Sequence, residues 1–224
     1  RYLVRRTEQP DFLGILFNPN CYFGMKYAVR LLSSAAVLFA LSTAILRAQS
    51  PTPLAANGRL QVINRQLCNE AGAPVQLRGM SSHGLQWFDN CFTQSSVHAL
   101  ATDWGIDVFR AAMYVESGGY LSDPPRFRTK INQIVDWTAA AGVYCIIDWH
   151  ILENGNPNAR LAEAKDFFRT MAQTHAGKKH VIYELCNEPN GVDWATIKSY
   201  AEAVIPEIRQ FDPTAIILVG TPQW

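Results

Sequence analysis

Val-Ile-Tyr-Glu-Leu-Cys-Asn-Glu-Pro, residues 181–189, begins as a buried apolar strand and ends in a carboxamide, a carboxylate and a proline. Residues 181–185 are a short run rich in β-formers, bounded upstream by the turn-forming stretch 177–180, and Pro189 ends strand pairing directly after Glu188. Glu188 is thereby placed at the C-terminal tip of a strand. In a parallel α/β barrel the catalytic groups gather on that rim. A glutamate there, preceded by an amide able to bind a hydroxyl, points to general-acid chemistry. A carboxylate at a strand end is also an ordinary surface residue, so the neighbouring strands decide between the two.

Outward from this stretch the pattern alternates without a break. Residues 75–80, 108–114, 143–149, 181–186 and 215–220 read as strands, and 95–104, 126–141, 158–175 and 194–211 as helices. Strict β-α alternation predicts an α/β fold, a parallel sheet wrapped by helices. In 158–175, Leu161, Ala164, Phe168 and Met171 recur at helical spacing as a buried stripe, with Glu163, Lys165, Asp166 and Arg169 on the wet side. Asp123 before Pro124-Pro125, and Asp193, are helix starts; Gly142 is a stop. Pro206 predicts a kink or division near Ile205. Ahead of the first strand, 60–67 and 74–77 alternate around Asn69-Glu70-Ala71-Gly72, the pattern of a capping hairpin.

The first methionine is Met25, followed by Lys26, Arg30 and an apolar run over 31–46 that is shorter than the roughly 20 residues a membrane span requires. This reads as a secretory signal over 25–48, with cleavage at Ala48 or Ala44, preceded by a translated leader over 1–24. No stable membrane span is expected after its removal, and the mature chain is expected to be secreted, extracellular or periplasmic. Residues 49–57, with Pro51 and Pro53, read as an extended linker, and 58–224 as one domain. Beyond Ala48 there are 14 basic against 17 acidic side chains and no basic cluster, which argues against a nucleic-acid partner. The five histidines show no paired metal spacing, so no metal site is expected. Of the four cysteines beyond the signal, Cys145 and Cys186 fall on strands and read as buried apolar residues. Cys68 and Cys91 are the candidate disulfide pair of an oxidising compartment, provided their loops lie at the same end of the barrel.

Chemistry-bearing residues recur at the strand tips: His83 after the first, Arg110 and Tyr114 on the second, His150 after the third, Asn187 and Glu188 on the fourth. Among the tryptophans, Trp87 and Trp224 follow strands and read as binding platforms, whereas Trp104, Trp137 and Trp194 lie on or beside helices and read as packing. His98, His175 and His180 read as surface or helix-end residues. The ordered motifs Arg-Gly-Met-Ser-Ser-His-Gly-Leu-Gln-Trp at 78–87, Phe-Arg-Ala-Ala-Met-Tyr at 109–114, Ile-Ile-Asp-Trp-His at 146–150 and Asn-Glu-Pro at 187–189 resemble those of glycoside hydrolase family 5, in particular its bacterial endo-β-1,4-glucanases.

That resemblance implies a (β/α)8 TIM barrel that hydrolyses β-1,4-glucan with retention, using two glutamates and no cofactor. It implies that Glu188 is the acid/base, that Asn187 binds the sugar 2-hydroxyl, and that Arg110 keeps the nucleophile ionised. His83, Trp87, Tyr114 and His150 match sugar-binding positions on the non-reducing side, and Trp224 a platform on the leaving-group side. Flat rings suit the apolar faces of pyranoses, and His, Asn and Arg suit their hydroxyls. The family's nucleophile lies at the end of a seventh strand, whereas the pattern here reaches five, so the sequence reads as the N-terminal part of an incomplete barrel. Asp148 and Glu184 share the facing of His150 and Glu188 but lie deeper, and read as a buried ion pair or core carboxylates rather than as a substitute nucleophile. A β-mannanase, a xyloglucanase and a non-catalytic glucan-binding half barrel remain as alternatives.

Overall fold

The computed structural model describes residues 50–222; the expected leader, the signal segment and Trp224 lie outside the described residues. Pro53–Asn57 form a short helix, α1, and Gln61–Ile63 (β1) and Gln66–Cys68 (β2) an antiparallel hairpin. Then β3 (Gly79–Ser81), α2 (Gln94–Thr102), β4 (Val108–Tyr114), α3 (Pro124–Ala141), β5 (Tyr144–His150), α4 (Leu161–Thr174), β6 (Val181–Glu184), α5 (Trp194–Arg209) and β7 (Ile216–Leu218) follow in turn. The sheet order is β3-β4-β5-β6-β7, every pair parallel. These are successive βα units of a (β/α)8 barrel, with four helices on the outer face as expected.

Strand register sorts the side chains into two layers. The outward residues of β4, β5 and β6, among them Phe109, Met113, Ile147, Trp149 and Tyr183, join the buried faces of α3, α4 and α5 in one core. Trp149 is wholly buried, and its ring meets Tyr120 at 5.1 Å and Phe167 at 5.2 Å between centroids, spacings at which aromatic pairs attract beyond their buried area. The inward residues change character along the strands. At the N-terminal end Tyr144, Ile182, Val108 and Ile146 pack against Leu60, Leu67, Val75 and Leu77 of the hairpin region, which plugs the barrel floor. One row higher, Ala112, Asp148 and Glu184 are register partners, and above them Tyr114 pairs with His150. An apolar floor thus supports a polar rim.

Capping follows the expected residues. Asp123 accepts from the Arg126 amide and precedes the two prolines of α3, and Asp193 accepts from the Thr196 amide at the start of α5. Gly142 closes α3 at φ 72°, where a side chain would be strained and would also strike Thr52.

Several expectations are corrected. The segment read as a linker contains α1, capped by Thr52; the Leu54 amide donates to the Gly142 carbonyl at 2.9 Å and its side chain packs on the floor cluster. The hairpin turns at Asn64 and Arg65, both at positive φ, and Asn69-Glu70-Ala71-Gly72 forms a second turn leading to the Cys68–Pro74 bridge. Residues 75–78, read as strand, lead into β3, which pairs only over Gly79–Ser81. Pro206 does not divide α5: it lies in the last turn, so it costs the Glu202 carbonyl its amide donor with only three residues of helix, to Arg209, left beyond it.

The Cys68–Cys91 disulfide does not form: both are free, Cys68 buried in the hairpin at the floor and Cys91 exposed in the 3-10 turn Asp89–Cys91 beyond the C-terminal tip of β3. Opposite ends of the strands separate the two thiols. Cys145 and Cys186 are buried and free. Trp104 and Trp194 are exposed rather than packed, and His175 and His180 are buried, their Nε2 atoms 2.9 Å from Asn132 Oδ1 and 3.0 Å from the Val135 carbonyl. Among the described residues no helix is long and apolar enough to cross a membrane.

Candidate active site

Arg110 is the hub of the rim. It projects inward from β4, and its guanidinium is clasped by Glu184 through Nε at 2.7 Å and Nη2 at 2.8 Å. Nη2 also lies 2.8 Å from Asp148 Oδ2 and donates to Asn187 Oδ1 at 3.0 Å. On β5 the even offset puts Asp148 under His150 as expected, whereas β6 ends at Glu184 and Glu188 follows beyond the strand; both deeper carboxylates are paired with one half-buried arginine. Burial works against the charge on Arg110, but the Glu184 hydrogen bonds and the carboxylates around it raise its affinity for the proton. Desolvation pushes the Asp148 carboxyl well up, reinforced by Glu184 and opposed by Arg110.

Asn187 is held on both sides. A guanidinium can only donate, so the atom facing Arg110 is the amide oxygen, and Nδ2 donates to the Ile151 carbonyl at 3.2 Å. That leaves a second Nδ2 proton for a ligand. Glu188 follows at φ 32°, a left-handed conformation that a non-glycine residue adopts at a cost of about 1–2 kcal/mol. It is exposed, whereas Asn187 is buried. Strain at this one position turns the chain out of the strand and presents the glutamate to the cleft. The cleft, about 450 Å³, is lined by Arg110, Glu184, Cys186, Asn187, Glu188 and residues at the end of β7.

On the other side of Arg110 stands an aromatic wall. His150 Nδ1 is 2.6 Å from Asp148 Oδ2, and its ring stacks on Tyr114 at 4.1 Å and 20°. Tyr114 in turn lies 5.9 Å from His83 and 4.9 Å, edge-on, from Trp87, and His83 is 5.3 Å from Trp87. Burial lowers the His150 pKa to about 4, with Arg110 adding to the effect, so the ring is neutral at pH 7; burial also raises that of Tyr114. Trp87 keeps 47% of its surface exposed, so its ring is available to a ligand.

The structure therefore brings together Arg110, Asn187, Glu188, His150, Tyr114, His83 and Trp87, and Trp224 lies outside the described residues. Sequence reasoning missed Phe88, which is 45% exposed and meets His83 edge-on at 5.4 Å. The signal was present as a second aromatic directly after Trp87. It also missed Lys130 of α3, whose ammonium pairs with Asp89 at 2.6 Å and donates to the carbonyls of Asp89 and Phe92, pinning the loop that carries Trp87. Nothing local in the sequence announces that contact. Among the described residues no cluster of metal-ligating side chains is present.

The chain is similar to known proteins. A family model described as cellulase (glycosyl hydrolase family 5) matches residues 68–224. Endoglucanase E-5 of Thermobifida fusca is 54% identical over 173 residues, 77% of this chain and 37% of that protein, and endoglucanase CelA of Streptomyces lividans is 50% identical over 173 residues, 77% and 38%. The crystal structure of the catalytic domain of Thermobifida fusca endoglucanase Cel5A (E5) superposes with a TM-score of 0.76 at 54% identity, covering 77% of this chain and 57% of that one. A variant of that domain in complex with cellotetraose matches equally well. The chain spans little more than a third of the length of these curated relatives. A match to the family model over residues 68–224, well over half of the chain, places this chain in glycosyl hydrolase family 5.

Proposed function

We propose that this chain forms the acid/base side and the non-reducing-side sugar-binding wall of a secreted, retaining endo-β-1,4-glucanase. Glu188 protonates the departing glycosidic oxygen, and the free Nδ2 proton of Asn187 binds the 2-hydroxyl of the sugar under attack, a contact that strengthens in the oxocarbenium-like transition state. Arg110 holds Asn187 in the required flip and places fixed positive charge on the floor of the cleft. Trp87, Tyr114 and His83 cover the apolar faces of glucosyl units, and His150 meets a hydroxyl. The endoglucanase names of its relatives, and a relative's complex with cellotetraose, support β-1,4-glucan over mannan or xyloglucan.

The observation that carries this reading is the junction at Arg110: one guanidinium fixes Asn187 beside Glu188 and, through Asp148, the aromatic wall. Both other carboxylates, Asp148 and Glu184, are engaged by that guanidinium, so neither is free to attack an anomeric carbon. The 224-residue chain is accordingly expected to bind cellotetraose without turning it over. Calorimetric titration should show saturable binding that weakens about tenfold in Trp87→Ala, the loss of one stacking platform. Hydrolysis of soluble cellulose by the purified chain, abolished in Glu188→Gln, would refute the exclusion of Asp148 and Glu184 as nucleophiles. Absence of binding would refute the glucan reading.

A further inference from the structure

We propose that Asp148 is a positioning residue that fixes His150 as its Nδ1–H tautomer, turning Nε2 into a hydrogen-bond acceptor for a sugar hydroxyl; the identity of that ligand rests on the glucan reading above. Asp148 is wholly buried, and one of its oxygens does two jobs: Oδ2 lies 2.8 Å from Arg110 Nη2 and 2.6 Å from His150 Nδ1. The other oxygen, Oδ1, is buried with no hydrogen-bond partner. An oxygen paired at 2.8 Å with an always-charged guanidinium is a poor place for a proton. A proton taken by this carboxyl therefore belongs on Oδ1, and Oδ2 stays an acceptor in either state.

His150 has only one ring proton when neutral, and an acceptor facing Nδ1 fixes where it sits. Nε2 is left with its lone pair outward, and it makes no hydrogen bond among the described residues, although the side chain keeps 10% of its surface exposed. The ring cannot swing to trade its nitrogens, because Tyr114 stacks against it at 4.1 Å. Arg110 is thus coupled to the aromatic wall through a single carboxylate oxygen. A hydroxyl that donates to Nε2 is accepted, and a group offering only acceptors is not, which makes Asp148 a determinant of ligand orientation.

Long-range 1H–15N spectra of the full 224-residue chain, labelled at histidine and free of ligand, test this at pH 7. The expected spectrum for His150 has a protonated-type Nδ1 and an unprotonated-type Nε2. Protonated-type Nε2, or an even mixture, overturns the proposal without any variant having to fold. In Asp148→Asn the tautomer should persist, because Arg110 orients the new carbonyl at the same point; in Asp148→Val it should be lost, and cellotetraose affinity should fall up to about tenfold, the worth of one hydrogen bond. A folded Asp148→Val chain that keeps the Nδ1–H tautomer refutes the positioning role. The expected tautomer together with no cellotetraose binding overturns the sugar-acceptor half and the glucan reading, leaving the Asp148–His150 coupling in place.

Discussion

Replacing Arg110 with methionine removes the single cation among three carboxylates while keeping a side chain of similar length. In the folded chain this leaves Asp148, wholly buried, and Glu184, with 17% of its side chain exposed, without the counter-charge that pairs with the first and hydrogen-bonds the second. Breaking one partner out of a buried pair costs about 3–5 kcal/mol, because the remaining charge stays desolvated. At a urea slope of about 2 kcal/mol/M, a loss of about 4 kcal/mol moves the unfolding midpoint down by about 2 M. The sign of the pH dependence follows from linkage. Without Arg110 the Asp148 carboxyl, already pushed up by burial and by Glu184, holds its proton more tightly folded than unfolded, so the deficit is full at neutral pH and shrinks as pH falls and it is neutralised. Urea unfolding of both chains, followed by far-ultraviolet circular dichroism at pH 7 and pH 5, should show a smaller difference at pH 5. A deficit below about 1 kcal/mol, or one that grows on acidification, would refute the view that Arg110 is the electrostatic hub.

Acid lability should also arise from the buried histidines. Burial holds His150 and His175 at about 4, below the ordinary value near 6.5, so they stabilise the fold when neutral and lose that contribution as pH drops from about 6.5 towards 4. Together they are worth on the order of 5 kcal/mol, and His175→Asn should flatten the fall in midpoint over that interval. Glu188→Gly should raise the melting temperature by about 2–4 °C, since glycine accepts the positive φ that costs the glutamate about 1 kcal/mol, while removing the proposed proton donor. A lower melting temperature in that variant would show that φ 32° is not a strained state held for function.

The parts of the fold legible in the sequence were those where period and chemistry agree. Val108–Tyr114 was read to the residue, because an apolar run between turn residues admits one strand. The inward rim is legible on β5, where even offsets share a face and link Asp148 to His150; the same rule does not reach Glu188, because β6 ends at Glu184 and the chain turns before it. The floor was not. Residues 75–77 alternate like a strand, yet Val75 and Leu77 spend their apolar faces on the plug, where packing fits the pattern equally well. The turn at Asn64-Arg65 has no glycine to mark it, and positive φ at arginine leaves no trace in composition. His175 and His180 stand at a helix end and in the next loop, and only the third dimension shows them folded beneath α3. Trp104 and Trp194 carry the opposite lesson: a large apolar residue beside a helix need not face the core.

As proposed, one cleft at the strand tips recognises β-1,4-linked glucose, with Glu188 at its edge. Backbone chemical-shift mapping of cellotetraose onto the full chain tests it most directly. Saturable shifts concentrated at His83, Trp87, Tyr114, His150, Asn187 and Glu188 are expected; shifts scattered over the outer helices, or none at millimolar ligand, would contradict glucan recognition by this cleft.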